Sequence, residues 1–381
     1  MADCMNENKA VKITPDDGYH YFFGYYDLHP YDKGGERHLA HRVQFADRLP
    51  EKEDICEVGF IEMKTRRFVK VGETTAWNFQ QGAFLNWFDE KSIVYNAFVE
   101  DKLCSVVKDL EGNTVKVIPF PIASISEDKK WGLSINFARI YTFRPGYGYV
   151  GATDLYADEK APAQDGVYLV NMQSGEGELL ISYAELARKY PQSPYTDDKL
   201  VINHVTFNPS ASKFIMLLRN SPENGGKRGT QVLVIGVDKT VQKLTDYQVN
   251  SHYSWKNDEE FVIWSVLEEG KGIYFFNVKT GERSRLDNEI LDKDDIHCLF
   301  SPNGACFIGD SYPYVDGYRH IYKYNFKDGS VEDLIKMKHD EPKIGDIRCD
   351  LHARFYEDCK RISFDSYCGE HRAIYQLSLE K

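Results

Sequence analysis

No apolar run in this chain approaches the length of a membrane-spanning helix. The opening residues, Met-Ala-Asp-Cys-Met-Asn-Glu-Asn, include neither a basic segment nor an apolar one, so no secretion signal is read there. The eight cysteines stand apart, at 4, 56, 104, 298, 306, 349, 359 and 368, and no Cys-x-x-Cys pair occurs. The expectation is therefore reduced thiols in a cytoplasm rather than a disulfide framework. Positive charge is also short: 47 Lys and Arg against 59 Asp and Glu leave a formal charge of −12. Such a chain is not built to hold nucleic acid through its overall field, although a local cluster of Arg and His can still take an anionic ligand. Methionine is scarce, with 6, whereas Tyr and Phe number 25 and 22, and aromatic residues suit pleated, half-buried strands.

One unit recurs along the 381 residues: a short apolar strand, a polar turn and a second apolar strand. The clearest copies open at His204-Val-Thr-Phe-Asn-Pro, His252-Tyr-Ser-Trp-Lys-Asn, His297-Cys-Leu-Phe-Ser-Pro and His352-Ala-Arg-Phe-Tyr-Glu. The residues that open the turns are Pro30, Phe88, Ser126, Asn208, Lys256, Ser301 and Tyr356, spaced by 58, 38, 82, 48, 45 and 55. A four-stranded propeller blade needs about 40–50 residues. The spacing of 82 reads as one blade with an insertion at about 138–203, because 166–172 and 178–182 look like its last two strands. Within it 183–190 looks helical until Pro191 stops it. The chain, 1–381, thus reads as one all-β domain, a seven-bladed β-propeller with four-stranded antiparallel blades; eight blades is the weaker count. The last copy ends at 373–379 with no room for a fourth strand. The short alternating segment 10–14 is expected to supply it, closing the ring and hiding an edge.

Measured back from the turn, His204, His252, His297 and His352 each lie four residues earlier (208−204, 256−252, 301−297, 356−352). That register puts all four at one mouth of the central channel. The ends of the second strands reach the same face with His41, Tyr95, Asn96, Asn136, Arg139, Arg219, Asp310 and Asp365. One such histidine is readily explained as a hydrogen-bonded wall residue, but four in register favour a site. Imidazole is both a common metal ligand and an acid or base near neutral pH. A divalent ion held by two or three of these residues is expected, its identity open among Zn, Mn, Fe, Ni and Ca. Cys298 is the further candidate ligand beside His252, His297 and His352, although a buried small residue is the commoner role for such a cysteine.

The segment Tyr19-His-Tyr-Phe-Phe-Gly-Tyr-Tyr-Asp27 has seven aromatic or His residues among nine. Packing of the first blade would account for it. Placed at the rim, His20 and Tyr25 would instead join the histidines, because aromatic rings stack on sugar faces while polar tips direct. Trp77, Gln80 and Gln81 occupy the corresponding approach to the second blade, and Asn136 and His204 extend the same surface. Arg139, Arg144 and Arg219 are natural clamps for a carboxylate, with surface salt bridging the plainer alternative for the first two.

Several of these segments resemble a family of propeller proteins: Tyr-Phe-Phe-Gly-Tyr-Tyr-Asp (21–27), Ala-Trp-Asn-Phe-Gln-Gln-Gly (76–82), Ser-Ile-Asn-Phe-Ala-Arg (134–139), Arg-Pro-Gly-Tyr-Gly-Tyr (144–149), Ser-His-Tyr-Ser-Trp (251–255) and Arg-Cys-Asp-Leu-His (348–352). The family is similar to the seven-bladed polysaccharide lyases: oligogalacturonate, ulvan and rhamnose–glucuronate lyases. The resemblance implies β-elimination at a uronate, often with a bound metal, on an anionic oligosaccharide. From the ulvan type it implies catalytic roles for His20 and His41, with Tyr95 and Arg139 as looser matches. From the oligogalacturonate type it implies a channel metal on histidines, although that type's His-x-His spacing is absent here.

A uronate lyase must neutralise a carboxylate, remove the proton α to it and protonate the leaving oxygen. Arg139, or a metal at His252, His297 and His352, would do the first; His41 or His20 the second; Tyr95 the third. A glycoside hydrolase on the same scaffold would need a carboxylate pair, for which Asp27, Asp310 and Asp365 are the candidates. A propeller that binds a glycan or protein without turnover is the third reading, since fold alone does not establish catalysis.

Overall fold

The computed structural model describes residues 10–191, 198–222, 226–315, 317–338, 345–367 and 369–380. Cys4 and Cys368 of the cysteine reading lie outside them. Seven four-stranded antiparallel sheets form in chain order: blade 1 at 20–74, blade 2 at 86–118, blade 3 at 124–182, blade 4 at 199–243, blade 5 at 249–286, blade 6 at 297–338 and blade 7 at 354–378. The fourth strand of blade 7 is Ala10–Lys12, paired Ala10↔Leu377, Val11↔Gln376 and Lys12↔Tyr375. The expected closure by an N-terminal strand is therefore present, and Ile13, buried beside Ile374, continues it.

The 82-residue spacing belongs to a single sheet. Trp131–Ser134 pairs with Gly166–Asn171, and the 31 residues between them leave the blade. That insertion holds helix α1 (Phe137–Phe143), capped by the Asn136 side chain, and a 3₁₀ turn at Pro145–Tyr147. The expected helix beyond the blade is α2 (Tyr183–Lys189), started by a Ser182–Glu185 capping box. Apolar side chains from facing blades fill the gaps between sheets, which leaves polar and aromatic groups for the axis. Among the described residues no helix is long and apolar enough to cross a membrane.

Candidate functional site

Backbone irregularity delivers the histidines. The ladder of blade 4 shifts register between Asn203 and Val205, so His204 is the extra residue of a bulge, at φ 60°. Blade 5 shifts between Asn250 and Tyr253, which frees Ser251 and His252. His352, just before the first strand of blade 7, has φ 43°. Bulges re-aim side chains beside functional sites, and a left-handed non-glycine residue costs on the order of 1–3 kcal/mol that surrounding structure must offset. His297 needs no such device, because it opens its strand opposite Asp310.

The four rings gather on Tyr25 and Tyr26 at the axis. Tyr25 stacks on His204 at 4.9 Å and meets His352 edge-on at 4.9 Å, while Tyr26 lies 5.4 Å from His297. His252 and His297 are 3.9 Å apart by ring centroid, and His297 and His352 4.6 Å. Tyr25, Tyr26, Asp27, His204, Ser251, His252 and Tyr253 line a small pocket of about 10 Å³.

Hydrogen bonds give the histidines different roles. His204 is held at both nitrogens, Nδ1 to Gln81 Nε2 at 3.1 Å and Nε2 to the Tyr25 hydroxyl at 3.4 Å. His252 Nδ1 pairs with Asp295 at 2.9 Å. Burial still keeps its pKa below the ordinary value, against the opposing pull of Asp295. His297 Nδ1 pairs with Asp310 at 3.1 Å. Burial, the largest single influence, works against its charge, but the carboxylates of Asp310, Asp350 and Asp295 together raise its pKa. His352 Nδ1 donates to the Gly24 carbonyl at 2.9 Å. Gly24 sits at φ +131°, and a Cβ there would stand 3.0 Å from the Gln81 carbonyl oxygen, so only glycine brings the chain this close.

With Nδ1 occupied on His297 and His352, each Nε2 is left buried and, among the described residues, without a partner. Together with Asp350 these two histidines offer three ligand atoms within 4.8 Å of one another. Oriented imidazoles whose second nitrogen is tied to a carboxylate or carbonyl are the usual support for a metal. Two imidazoles and a carboxylate suit a divalent first-row ion such as manganese or zinc. The residues fit such an ion.

Cations ring this group. Arg348 Nη2 donates to the hydroxyls of Tyr147 at 3.2 Å and Tyr312 at 3.4 Å. Arg144 lies over the Tyr147 ring at 4.3 Å and reaches Asp346 at 3.2 Å. Arg219 has a buried Nε without a partner, and burial followed by the charge of Arg144 lowers its pKa. Guanidinium groups repelling one another beside an aromatic floor make a place for an anion.

The structure brings together Tyr25, Gln81, Arg144, His204, Arg219, His252, His297 and His352 of the residues read from sequence. It sends others elsewhere. Cys298 is corrected as a ligand: its side chain lies in the apolar cluster between blades 5 and 6, and its Sγ bonds to the Ile296 carbonyl at 3.8 Å. Arg139 is corrected as a substrate clamp. Fully buried, it commits Nε to Leu200 O, Nη1 to Asp154 and Tyr156 O, and Nη2 to Glu159 O and Lys160 O. His41 stacks on Phe22 at 4.9 Å and accepts from Ala83 N at 2.9 Å, with burial pushing its pKa down to about 3. His20 accepts from Arg372 N at 3.1 Å beside His371, its pKa lowered to about 4, mainly by burial. Tyr95 belongs to the core cluster around blades 1 and 2. None of these four meets the histidine ring. Trp77 is also core, donating to Asp54 O at 2.8 Å; Gln80 tethers the carbonyls of Asp346 and Arg348; Asn136 caps α1 and bonds Asp154 and Asp165.

Of the hydrolase carboxylates, Asp310 is paired with His297 and Asp365 with Arg354, all buried. Asp27 accepts from Thr206 at 3.1 Å and, among the described residues, forms no ion pair. Asp350, Arg348, Tyr147, Tyr312 and Asp295 were not read as site residues. Asp350 had a signal, since it stands two positions before His352 within Arg-Cys-Asp-Leu-His.

No family model matches the sequence, and no curated protein does either. Solved structures do match. An oligogalacturonate lyase in complex with manganese superposes with a TM-score of 0.68 at 16% identity, covering 98% of this chain and 93% of the other. The oligogalacturonate lyase of Vibrio parahaemolyticus gives 0.65 at 16% identity, covering 99% and 95%. The fold is that of the oligogalacturonate lyases. A puromycin-hydrolysing peptidase of Mycobacterium tuberculosis also matches, at 0.55 and 10% identity, covering 97% of this chain and 55% of the other. Propellers therefore serve unlike chemistries, and function must be argued from the ring of side chains itself.

Proposed function

We propose that this chain is a metal-assisted lyase that cleaves uronate-containing oligosaccharides by β-elimination. The observation that carries the reading is the trio of His297, Asp350 and His352, with two buried Nε2 atoms lacking partners, inside a ring of guanidinium groups. The manganese of the oligogalacturonate lyase on the same fold supports it. His297, Asp350 and His352 would hold a divalent ion, whose chemistry when bound is Lewis-acid withdrawal of charge from the uronate carboxylate.

The chain's own groups supply the rest. Arg144 and Arg219 take the carboxylate by charge-assisted hydrogen bonds. His252, neutral and oriented by Asp295, removes the proton α to that carboxylate. The electron pair of the broken C–H bond forms the new C=C bond as the adjacent C–O bond breaks. The Tyr25 hydroxyl, kept protonated by burial, returns a proton to the leaving oxygen. His204 and Gln81 hold Tyr25 in place.

The test is near-ultraviolet absorbance on galacturonate oligosaccharides, with and without chelator. Growth of an unsaturated product that chelator stops, and that His297→Ala abolishes in a folded protein, supports the reading. Reducing sugar without absorbance growth would mean hydrolysis. Binding without any product would leave a recognition propeller.

A further inference from the structure

Asp350 faces two cations at once. Its Oδ1 accepts from Arg319 Nη1 at 2.8 Å, and its Oδ2 lies 2.7 Å from Arg348 Nε. The two contacts differ in kind. The first is a directed hydrogen bond, whereas neither Arg348 Nε nor Asp350 Oδ2 makes a directed one despite their closeness. Charge attraction alone holds that second pair, and such contact is weaker than a directed charge-assisted bond. The carboxylate is fully buried, so without a second cation on Oδ2 part of its charge would be unpaired. Arg348 is meanwhile anchored at its other end by Tyr147, Tyr312 and the Gly345 carbonyl, and its guanidinium lies 5.3 Å from the Tyr312 ring centroid.

We infer that Arg348 is a built-in counter-ion that a divalent ion must displace from Asp350, and that the released Nε edge then turns to the anionic substrate. The inference rests on the metal reading proposed above. A divalent ion on Oδ2 competes with the guanidinium for the same oxygen and repels its positive charge, and the doubly charged ion is the stronger attractor, so the undirected Arg348 contact gives way. Arg319 stays on Oδ1 and keeps the carboxylate oriented, as outer partners of metal ligands do. Arg348, held by two phenols, is left with an unpaired N–H edge beside Arg144 and Tyr147. Metal and substrate then become linked: the ion frees the guanidinium that binds substrate, and bound substrate draws away the ion's competitor. Such coupling is reciprocal by thermodynamic necessity. Arg348 is in this sense a positioning residue, acting on the metal through Asp350.

Calorimetric titration of manganese(II) into the full chain and into Arg348→Gln tests this. The variant is expected to bind manganese more tightly, on the order of tenfold, because a neighbouring positive charge is gone. With manganese saturating, the variant's KM for digalacturonate is expected to rise by a similar factor, with kcat less affected. Arg348→Lys, which keeps the charge, should return metal affinity towards wild type. A merely structural role predicts the opposite sign, since a damaged site binds metal more weakly. Unchanged or weaker manganese binding by folded Arg348→Gln would overturn the inference and leave the metal reading standing. Failure of the wild-type chain to bind manganese would overturn both.

Discussion

Arg139 commits all five of its N–H donors to its own chain, joining the blade 3 insertion to Leu200 at the start of blade 4. Its replacement should therefore appear as lost stability and not as a changed substrate preference. Arg139→Met is expected to cost about 3–5 kcal/mol in urea denaturation, since Asp154 and four carbonyls lose their partner, while KM at low temperature stays near wild type. Asp27 gives a prediction in pH. Burial raises its pKa from 3.8 to about 6, against the bond from Thr206. The folded state thus holds that proton more tightly than the unfolded state, and the contribution to stability is full below 3.8 and lost as pH rises through about 6. Asp27→Asn should match wild type near pH 3.5 and exceed it at pH 7 by roughly 1–3 kcal/mol, read from paired denaturation curves. An equal difference at both pH values would refute the assignment. The sequence made the four histidines visible, because their distance from the turn is a property of the repeat. What each nitrogen does was not visible, because the partners Gln81, Asp295, Asp310 and Gly24 come from other blades or other strands. Asp350 escaped notice because it lies on a connector, outside the strand register by which the others were found.

At the level of elements, the blades and their closing strand were legible because alternation, Gly turns and spacing are local. The first blade was legible only in outline. Its hairpin pairs His20 with Val43 and Phe22 with His41, and this register turns His41 onto Phe22 and towards Gly82 instead of the axis. Tyr25, expected at a rim, forms the floor of the ring together with Tyr26, because the chain after Phe22 leaves its strand and crosses the axis. The insertion was expected as a long excursion, and its use is now plain: α1 and the turn after it carry Arg144 and Tyr147 to the site. The closing strand makes its own prediction. Ile13 is 3% exposed whereas Val11 is 46% exposed. Ile13→Ala should cost about 2–4 kcal/mol in denaturant melts, and Val11→Ala less than about 0.5 kcal/mol. Equal effects would mean that the strand contributes only backbone pairing.

For the whole molecule, a ligand that binds only the folded ring must stabilise all of it. Manganese(II) at a hundredfold excess over its dissociation constant should add about 2.7 kcal/mol to unfolding, seen as a raised melting temperature. His297→Ala should erase that gain, and a gain that survives in the variant would place the ion elsewhere. His297 belongs to blade 6, while Asp350 and His352 precede the first strand of blade 7, so the ion would staple two neighbouring blades. The path of residues 23–26 has a consequence of another kind. Gly24 offers its carbonyl to His352 and Arg354, the Phe23 N–H reaches Asp365, and the Tyr26 hydroxyl is bonded to Tyr253. The floor of the ring is thus synthesised before the walls it joins. The proposed site stays incomplete until blade 7 has been made and has met residues 23–26. The order of synthesis alone thus delays assembly of the proposed site until the circle has closed.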